Sequence, residues 1–289
     1  MARNNAGRTG APATPDETYN EAEDAPTPAD VTADSLSFVS PTEFVELPSK
    51  GKYYPAGHPL HGEETLEIRY MTAKDEDIIT SANLLKRGLA IERLMQSLIV
   101  NKAVKPHDLL VGDRSAVIVA ARIGAYGNEY ATNVTCPRCG AHSQTVFDLN
   151  EIEPYCGDEW GDFDISETGN GTFYVKLPRS QVAVEVRLMT GRDETNLVQA
   201  QKRKKKHNLS EGTSTETLKT FVVSVNGSND VAAVRKFVED MPAFDARYLR
   251  VAQNKVTPNM NTLQDYTCSE CGHEAELEVP FTTDFFWPK

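Results

Sequence analysis

Two short cysteine motifs constrain this chain more than any other feature of its sequence. Each motif reads Thr-Cys-x-x-Cys-Gly, and the four cysteines are Cys136, Cys139, Cys268 and Cys271. In such a motif a tight turn points two sulfur atoms at one place, and the final glycine can adopt a positive φ angle. Zinc prefers four ligands in a tetrahedron, and two such turns supply four thiolates. The spacing therefore predicts a structural zinc site that uses all four cysteines.

The segments that flank both motifs are predicted to be β-strands, which is typical of zinc ribbons. We therefore interpret the two motifs as a split zinc ribbon, with one hairpin from each half of the chain. Turns that hold no metal, and oxidation to disulfides, stay open as alternatives. A thioredoxin-like redox site is disfavoured because neither motif starts a helix after a buried parallel strand. His142 and His273 are interpreted as exposed hairpin residues, and Cys156 as a thiol outside the site.

The order of predicted elements around the first motif recurs around the second. Residues 66–76 align without gaps on residues 184–194, and a Leu-Pro pair precedes both segments. The helical spacing i, i+3, i+4, i+7 also occurs twice, in Ile91, Leu94, Met95 and Leu98 and in Leu218, Phe221, Val222 and Val225. The predicted fold class is α+β, with two duplicated strand–helix modules that each end in a Cys-x-x-Cys β-hairpin.

Composition along the chain predicts four regions. The first is rich in alanine, proline and acidic residues and has one aromatic residue, Tyr19, so it cannot bury enough apolar surface to order itself. The regions are a disordered acidic arm (1–36), a first module (37–150), an acidic linker (151–172) and a second module (173–289) with an aromatic tail. That tail is expected either to close the core of this chain or to insert into a neighbour.

Two helix starts are predicted from capping residues. Thr72 precedes a helical pattern, and Asp75 follows it at the spacing of a capping box. Asp113 is predicted to cap a later helix that contains Val117 and Ala121.

The loop at residues 48–62 is rich in glycine, proline, tyrosine and histidine. His58 and His61 could contribute to a metal site, but no third histidine lies nearby in the sequence. We interpret Tyr53 and Tyr54 instead as part of a surface loop for protein contact.

Charge and missing motifs exclude several classes of protein. The net charge of −12 argues against a general nucleic-acid coat. The basic run Lys202–Lys206 nevertheless keeps a zinc-ribbon nucleic-acid-binding protein as the alternative function. No apolar run approaches the ~20 residues of a membrane span. A metal-dependent enzyme is disfavoured because the sequence has none of the common catalytic or nucleotide-binding motifs, so no catalytic residue and no cofactor besides zinc is predicted.

The first half of the chain resembles a known family. The resemblance is carried by LPSKGKYYP (47–55), MTAKDEDIITSANLLKRG (71–88), LLVGDRSAVIVAARIGAYGNEY (109–130) and CPRCG (136–140). These segments are similar to baseplate hub subunits of T-even-like contractile-tail bacteriophages over residues 44–150. The second half resembles the family more loosely, through Arg187–Glu194 and the final CSECG.

This resemblance implies a structural protein of the phage tail baseplate, at or near the central hub. It would be assembled in the host cytoplasm and located in the virion. Its expected partners are other baseplate and tail proteins, in the hub, the wedge or the tail tube, with several copies in each baseplate. The resemblance implies no reaction and no membrane, and nucleic acid is not an expected partner.

Overall fold

Short strands and helices alternate along the chain, in a computed structural model that describes residues 40–206, 213–281 and 283–286. The strands are β1 (Thr42–Glu46), β2 (Thr65–Arg69), β3 (Glu129–Thr135), β4 (His142–Asp148), β5 (Glu153–Tyr155), β6 (Ile165–Glu167), β7 (Thr172–Lys176), β8 (Ala183–Arg187), β9 (Val222–Val225), β10 (Asn259–Asn261), β11 (Leu263–Thr267) and β12 (Glu274–Glu278). The helices are α1 (Ala73–Thr80), α2 (Ala82–Arg87), α3 (Ala90–Leu98), α4 (Val111–Tyr126), α5 (Gly191–Lys206), α6 (Thr213–Phe221), α7 (Val231–Asp240) and α8 (Ala243–Val256).

The strands form small antiparallel sheets. β1 pairs with β2, β3 with β4, β5 with β10 and β11 with β12, while β6, β7, β8 and β9 form a four-stranded sheet in that order. The mixture of helices and strands agrees with the predicted α+β composition. Within the described ranges, no helix is both long enough and apolar enough to span a bilayer.

The predicted region boundaries compare with the structure as follows. The described residues from Ser40 onwards belong to one compact unit, and the predicted arm at 1–36 lies outside the described residues. The predicted linker at 151–172 contains β5 and β6, which pair with β10 and β7. That segment is therefore built into two sheets. The division into modules at 37–150 and 173–289 stays a prediction.

The helical pattern predicted for the first half is present, but its counterpart in the second half is not. In α3, Leu94, Met95 and Leu98 are buried on one face. In the second half α6 ends at Phe221, and the next four residues form β9, which pairs with β8. The prediction of a helix through Val225 was therefore wrong. The Val-Val-Ser-Val segment favours a strand because β-branched side chains pack well on a pleated sheet.

A buried Arg–Asp pair joins β2 to the start of α1. Arg69 donates two hydrogen bonds to the carboxylate of Asp75, at 2.7 and 2.9 Å. The backbone N–H and the hydroxyl of Thr72 donate to the same carboxylate, which confirms the predicted capping box. Burial alone would raise the pKa of Asp75, but the bonds from Arg69 and Thr72 hold it well below its usual value.

The same arrangement occurs at the start of α5. Arg187 donates to both carboxylate oxygens of Asp193 at 2.8 Å, and Thr190 donates through its backbone N–H and its hydroxyl. Each arginine also reaches the C-terminal end of a following helix: Arg69 bonds Ser97, and Arg187 bonds the carbonyl of Thr220. In both halves one arginine therefore fixes a strand, a helix start and a helix end together.

The sequence predicted that Asp113 caps α4, but this prediction was wrong. The helix begins two residues earlier, and the Asp113 side chain is fully buried. It accepts hydrogen bonds from the N–H of Ser49 (3.0 Å), the hydroxyl of Ser49 (2.6 Å) and the hydroxyl of Tyr54 (2.7 Å). Asp245 in α8 is likewise buried, and it accepts from the N–H groups of two consecutive residues, Arg179 and Ser180, at 2.9 Å.

The tyrosine-rich loop at 48–62 is partly buried. Tyr54 is buried, and its ring stacks on His58 with the ring centroids 4.4 Å apart. The Nδ1 atom of His61 lies 2.6 Å from the carbonyl oxygen of Tyr54. Tyr53 is partly buried and its ring contacts Phe173. The interpretation of these tyrosines as a protein-contact surface is therefore wrong for Tyr54, whose hydroxyl instead binds Asp113.

The C-terminal aromatic residues pack on the first half of the chain. Phe285 and Phe286 are buried, and the Phe285 ring meets Tyr130 edge-on at 5.1 Å. The buried side chain of Arg122 donates to the carbonyl oxygens of Phe285 (2.6 Å), Gly127 (2.7 Å) and Glu129 (3.1 Å). The tail was expected either to close the core of this chain or to insert into a neighbour, and Phe285 and Phe286 close the core of this chain. Trp287 lies outside the described residues.

Replacement of Asp113 should destabilise the fold strongly. Asp113→Ala leaves the Ser49 N–H, the Ser49 hydroxyl and the Tyr54 hydroxyl without their acceptor in a buried site, and we expect a loss of about 3 kcal/mol in the free energy of unfolding. Urea denaturation measures this loss. The control is Asp77→Ala, an exposed position on α1 where a change within about 0.5 kcal/mol is expected. Equal effects of the two substitutions would contradict a structural role for Asp113.

Replacement of Arg122 should release the C-terminal residues. Arg122→Met keeps the packing of an unbranched aliphatic stem but removes the guanidinium that donates to three carbonyl oxygens. We therefore expect a loss of about 2–3 kcal/mol in the free energy of unfolding. Hydrogen exchange should also become faster in the peptide that contains Phe285 and Phe286. Arg235→Met, at an exposed position of α7, is the control and should change neither quantity. Unchanged exchange in Arg122→Met would contradict the anchoring role.

Candidate metal centre

The first cysteine pair lies in the connection between β3 and β4. These strands pair from Glu129 opposite Asp148 to Thr135 opposite His142. The N–H of Cys136 donates to the carbonyl of Ala141 at 2.8 Å, and the N–H of Gly140 donates back to the carbonyl of Cys136 at 3.0 Å. The second bond closes a tight turn that needs a positive φ angle at its end. Gly140 supplies this angle, with φ of 72°.

The second pair lies in a turn of the same construction between β11 and β12. The N–H of Cys268 donates to the carbonyl of His273, and the N–H of Gly272 donates to the carbonyl of Cys268, both at 2.9 Å. Gly272 has φ of 63°. The sequence Cys-x-x-Cys-Gly thus produces the same backbone turn in both places, and each turn presents two sulfur atoms.

Contacts between the two hairpins bring these turns together. Gln264 of β11 is buried, and its amide N–H donates to the carbonyl of Asp148 at 2.6 Å. The side-chain amide oxygen of Gln264 accepts a hydrogen bond from the backbone N–H of Asp148 at 3.2 Å. Nearer the cysteines, the hydroxyls of Ser143 and Tyr266 lie 3.1 Å apart. At the other end Tyr130 donates to the carbonyl of Pro280. Polar contacts therefore fix the hairpins along their length.

The four predicted ligands converge. The sulfur atoms of Cys136 and Cys271 lie 3.9 Å apart, and those of Cys139 and Cys268 lie 3.7 Å apart. All four sulfurs lie within 4.8 Å of one another, and all four cysteines are free thiols. Each of these two separations joins one hairpin to the other.

These separations fit a metal ion. A zinc ion bound to four thiolates has zinc–sulfur distances of about 2.3 Å, and a regular tetrahedron of that size places its corners about 3.8 Å apart. The distances between hairpins bracket this value. Four ligands from two turns would also complete the coordination shell, so an ion held there would have no open position for a substrate.

Backbone donors favour the thiolate form at the buried positions. Cys136 and Cys268 are buried, while Cys139 and Cys271 are exposed. The N–H groups of Cys271 and Glu270 lower the pKa of the Cys268 thiol to about 6. The N–H groups of Cys139 and Arg138 lower the pKa of Cys136 in the same way. Because the thiolate is the metal-binding form of cysteine, these donors prepare both buried sulfurs for an ion.

Other candidate ligands do not join the cluster. His142 is exposed, and its Nδ1 atom lies 2.9 Å from the hydroxyl of Thr135. His273 contributes its backbone carbonyl to the second turn. Cys156 is partly exposed and lies outside the group of four. Across the part of the chain that the structure describes, no second group of three or more histidine, cysteine or acidic side chains converges in this way, so His58 and His61 form no such site.

Sequence reasoning missed the residues that align the two hairpins. Gln264 and Tyr266 alternate with exposed residues along β11, and this alternation places both on the buried side. A glutamine on the inward face of a strand is unusual enough to mark a specific hydrogen-bond partner. The sequence does not identify that partner, because Asp148 accepts and donates through its backbone.

Comparison with known proteins gives one match. Residues 40–161 match the model of a family described as T4 bacteriophage base plate protein. The search of curated proteins found no match, and neither did the search of solved structures. The matched segment contains the first hairpin, with Cys136 and Cys139, and ends before the second. This segment of the chain is therefore similar to T4 bacteriophage base plate proteins.

Proposed function

We propose that this chain is a structural protein of a phage tail baseplate, located in the hub region. In this proposal it acts through protein–protein interfaces, and a zinc ion held by Cys136, Cys139, Cys268 and Cys271 stabilises it. The observation that carries the baseplate assignment is the family match over residues 40–161. The resemblance of the sequence segments between residues 44 and 150 to hub subunits supports the finer assignment to the hub.

The zinc part of the proposal rests on the sulfur geometry. Cys136 and Cys139 would bind the ion from the β3–β4 hairpin, and Cys268 and Cys271 from the β11–β12 hairpin. A zinc ion would supply a cross-link between these distant hairpins and would neutralise the negative charge of their thiolates. Because all four ligand positions would be filled by sulfur, we assign the ion a structural role rather than a catalytic one.

We further propose that the two halves are duplicated modules that together form a split zinc ribbon. Three kinds of contact support this. The pair Arg69–Asp75 matches Arg187–Asp193, and each aspartate also binds the threonine that starts its helix. A buried aspartate in α4 and another in α8 each accept backbone N–H bonds from the turn after a Leu-Pro pair. Both halves end in the same cysteine turn.

Several features favour interfaces rather than catalysis as the mode of action. Among the described residues, the converging reactive groups are the four cysteines, which a structural ion would occupy. The buried aspartates are all used in hydrogen bonds that hold turns and helix starts. In the proposed virion, the partners would be other baseplate and tail proteins, and several copies of this chain would be present.

The zinc assignment is tested by metal content. We expect about one zinc per chain in purified protein, measured by inductively coupled plasma mass spectrometry. Cys139→Ser and Cys271→Ser should each lose most of the metal because three thiolates hold the ion poorly. Each should also lower the free energy of unfolding by roughly 3 kcal/mol, which corresponds to roughly 6–12 °C in Tm. Cys156→Ser is the matched control and should keep both its metal and its Tm. A metal-free wild-type chain, or full metal in Cys139→Ser, would contradict the site.

The baseplate assignment is tested in the phage that encodes the chain. We expect peptides of this chain in purified virions and a loss of functional tails when its gene is deleted. A plasmid copy of the wild type or of Cys156→Ser should restore infective particles, whereas Cys139→Ser should restore far fewer. Normal tails without the gene would refute the baseplate role, whatever the metal content. Chemical cross-links to hub proteins would separate a hub position from a peripheral one.

A further inference from the structure

Six exposed cations lie in the C-terminal parts of α2 and α5. These residues, which we call the basic surface, are Lys86, Arg87, Lys202, Arg203, Lys205 and Lys206. The side chain of Lys202 in α5 reaches the end of α2, where its Nζ lies 3.7 Å from the position that a Cβ atom on Gly88 would occupy. Within the described ranges none of the six pairs with an acidic residue, whereas their neighbour Lys204 pairs with Glu216 at 3.3 Å.

The outward side of the β11–β12 hairpin carries the opposite charge. We call it the acidic face, and its residues are Asp265, Glu274, Glu276 and Glu278, all exposed. Asp265 lies directly opposite Glu276 in the register of the two strands. Like charges at opposed positions destabilise a hairpin. Residues 256–288 contain no lysine or arginine, and no described cation elsewhere in the chain pairs with these carboxylates.

Stabilisation of α5 does not account for the whole basic surface. Cations at a helix C-terminus interact favourably with the helix dipole, but this effect is confined to the last turn. Here Lys202 of α5 reaches Gly88, which directly follows the cations Lys86 and Arg87 of α2, and like charges in this region repel one another. In the same way, the acidic face repels itself across the two strands. Both surfaces therefore carry an unbalanced charge that an oppositely charged partner would neutralise.

The two surfaces also match in spacing. One turn of α5 separates Lys202 from Lys206, a rise of about 6 Å. Alternate residues of a strand, such as Glu276 and Glu278, lie about 6.7 Å apart. A row of lysines can therefore face a row of glutamates residue by residue, within the reach of flexible lysine side chains.

We propose that the basic surface of one copy of this chain binds the acidic face of a second copy. In such a pair one copy keeps an unused acidic face and the other keeps an unused basic surface, so the contact is heterologous and can add further copies. Repetition of it gives a ring if the rotation between copies closes, and a filament if it does not. The proposal depends neither on the baseplate assignment nor on the identity of the metal.

Sedimentation velocity of the full chain, as purified with its metal, tests the proposal. We expect the mean sedimentation coefficient to rise with protein concentration in 0.1 M NaCl. Self-association should weaken at least ~10-fold in 1 M NaCl, where the Debye length falls from about 10 to about 3 Å. A wild-type chain that remains monomeric at every soluble concentration in 0.1 M NaCl would overturn the proposal.

Two neutralised variants locate the contact. Lys202→Gln/Arg203→Gln/Lys205→Gln/Lys206→Gln removes most of the basic surface, and Asp265→Asn/Glu276→Gln/Glu278→Gln removes most of the acidic face. We expect each to weaken self-association about 10-fold or more, as the loss of several charge pairs implies. Circular dichroism and metal content should remain those of the wild type.

Matched controls change equal kinds of charge elsewhere. Asp158→Asn/Glu159→Gln/Asp162→Asn neutralises three exposed carboxylates outside the acidic face, and Arg235→Gln/Lys236→Gln/Arg247→Gln/Lys255→Gln neutralises four exposed cations on α7 and α8. Both should associate like the wild type. Equal weakening by a control and by its test variant would mean that net charge, rather than these two surfaces, governs association, and the proposal would be wrong.

Mixing the two neutralised variants gives the sharpest result. One variant retains a basic surface and the other retains an acidic face, so together they should form 1:1 dimers that cannot grow further. A symmetric contact would not produce this complementation. Binding of duplex DNA by the wild type, in a salt-dependent manner and without self-association, would instead assign the basic surface to nucleic acid and overturn the proposal.

Discussion

Four cysteine sulfurs within 4.8 Å of one another cannot all be ionised unless a cation compensates their charge. This constraint governs the region where the two halves of the chain meet. Backbone N–H groups favour thiolates at Cys136 and Cys268, and the remaining two thiols approach them from the opposite hairpin. A bound ion satisfies all four sulfurs together, whereas without one the repulsion would favour protonation of some of them. The hairpin contacts through Gln264 and Tyr266 hold the sulfurs in place in either case.

Elsewhere the fold relies on carboxylates rather than sulfur. Asp75 and Asp193 each bind an arginine and the start of a helix, so one charged pair fixes three pieces of backbone. Asp113 and Asp245 use burial differently, because they accept bonds from the turns that follow β1 and β7. Such groups are costly to bury but specify a single arrangement, since any other packing leaves them unpaired. They keep short strands and helices in register where no large sheet does so.

The sequence predicted the chemistry of the site better than its surroundings. Thiol spacing, glycine position and flanking alternation were enough to place four cysteines together, because each is a local rule. Asp113 was assigned to a helix cap because its partners, Ser49 and Tyr54, lie far away in the sequence. The pattern from Leu218 to Val225 suited a helix by spacing, but pairing with β8 favoured a strand for its second half. Contacts such as Arg122 with Phe285 depend on tertiary packing that no local pattern encodes.

The contact between Asp148 and Gln264 spans 116 residues of sequence, and this separation has a consequence for synthesis on the ribosome. The first hairpin emerges long before the second, and in the interval its two thiols lack the partners that complete the cluster. Closure of so long a loop is also slow compared with the formation of either hairpin. The cluster can therefore form only after Cys268 and Cys271 have been synthesised. A chain interrupted before Cys268 lacks two of the four sulfurs and cannot complete the cluster.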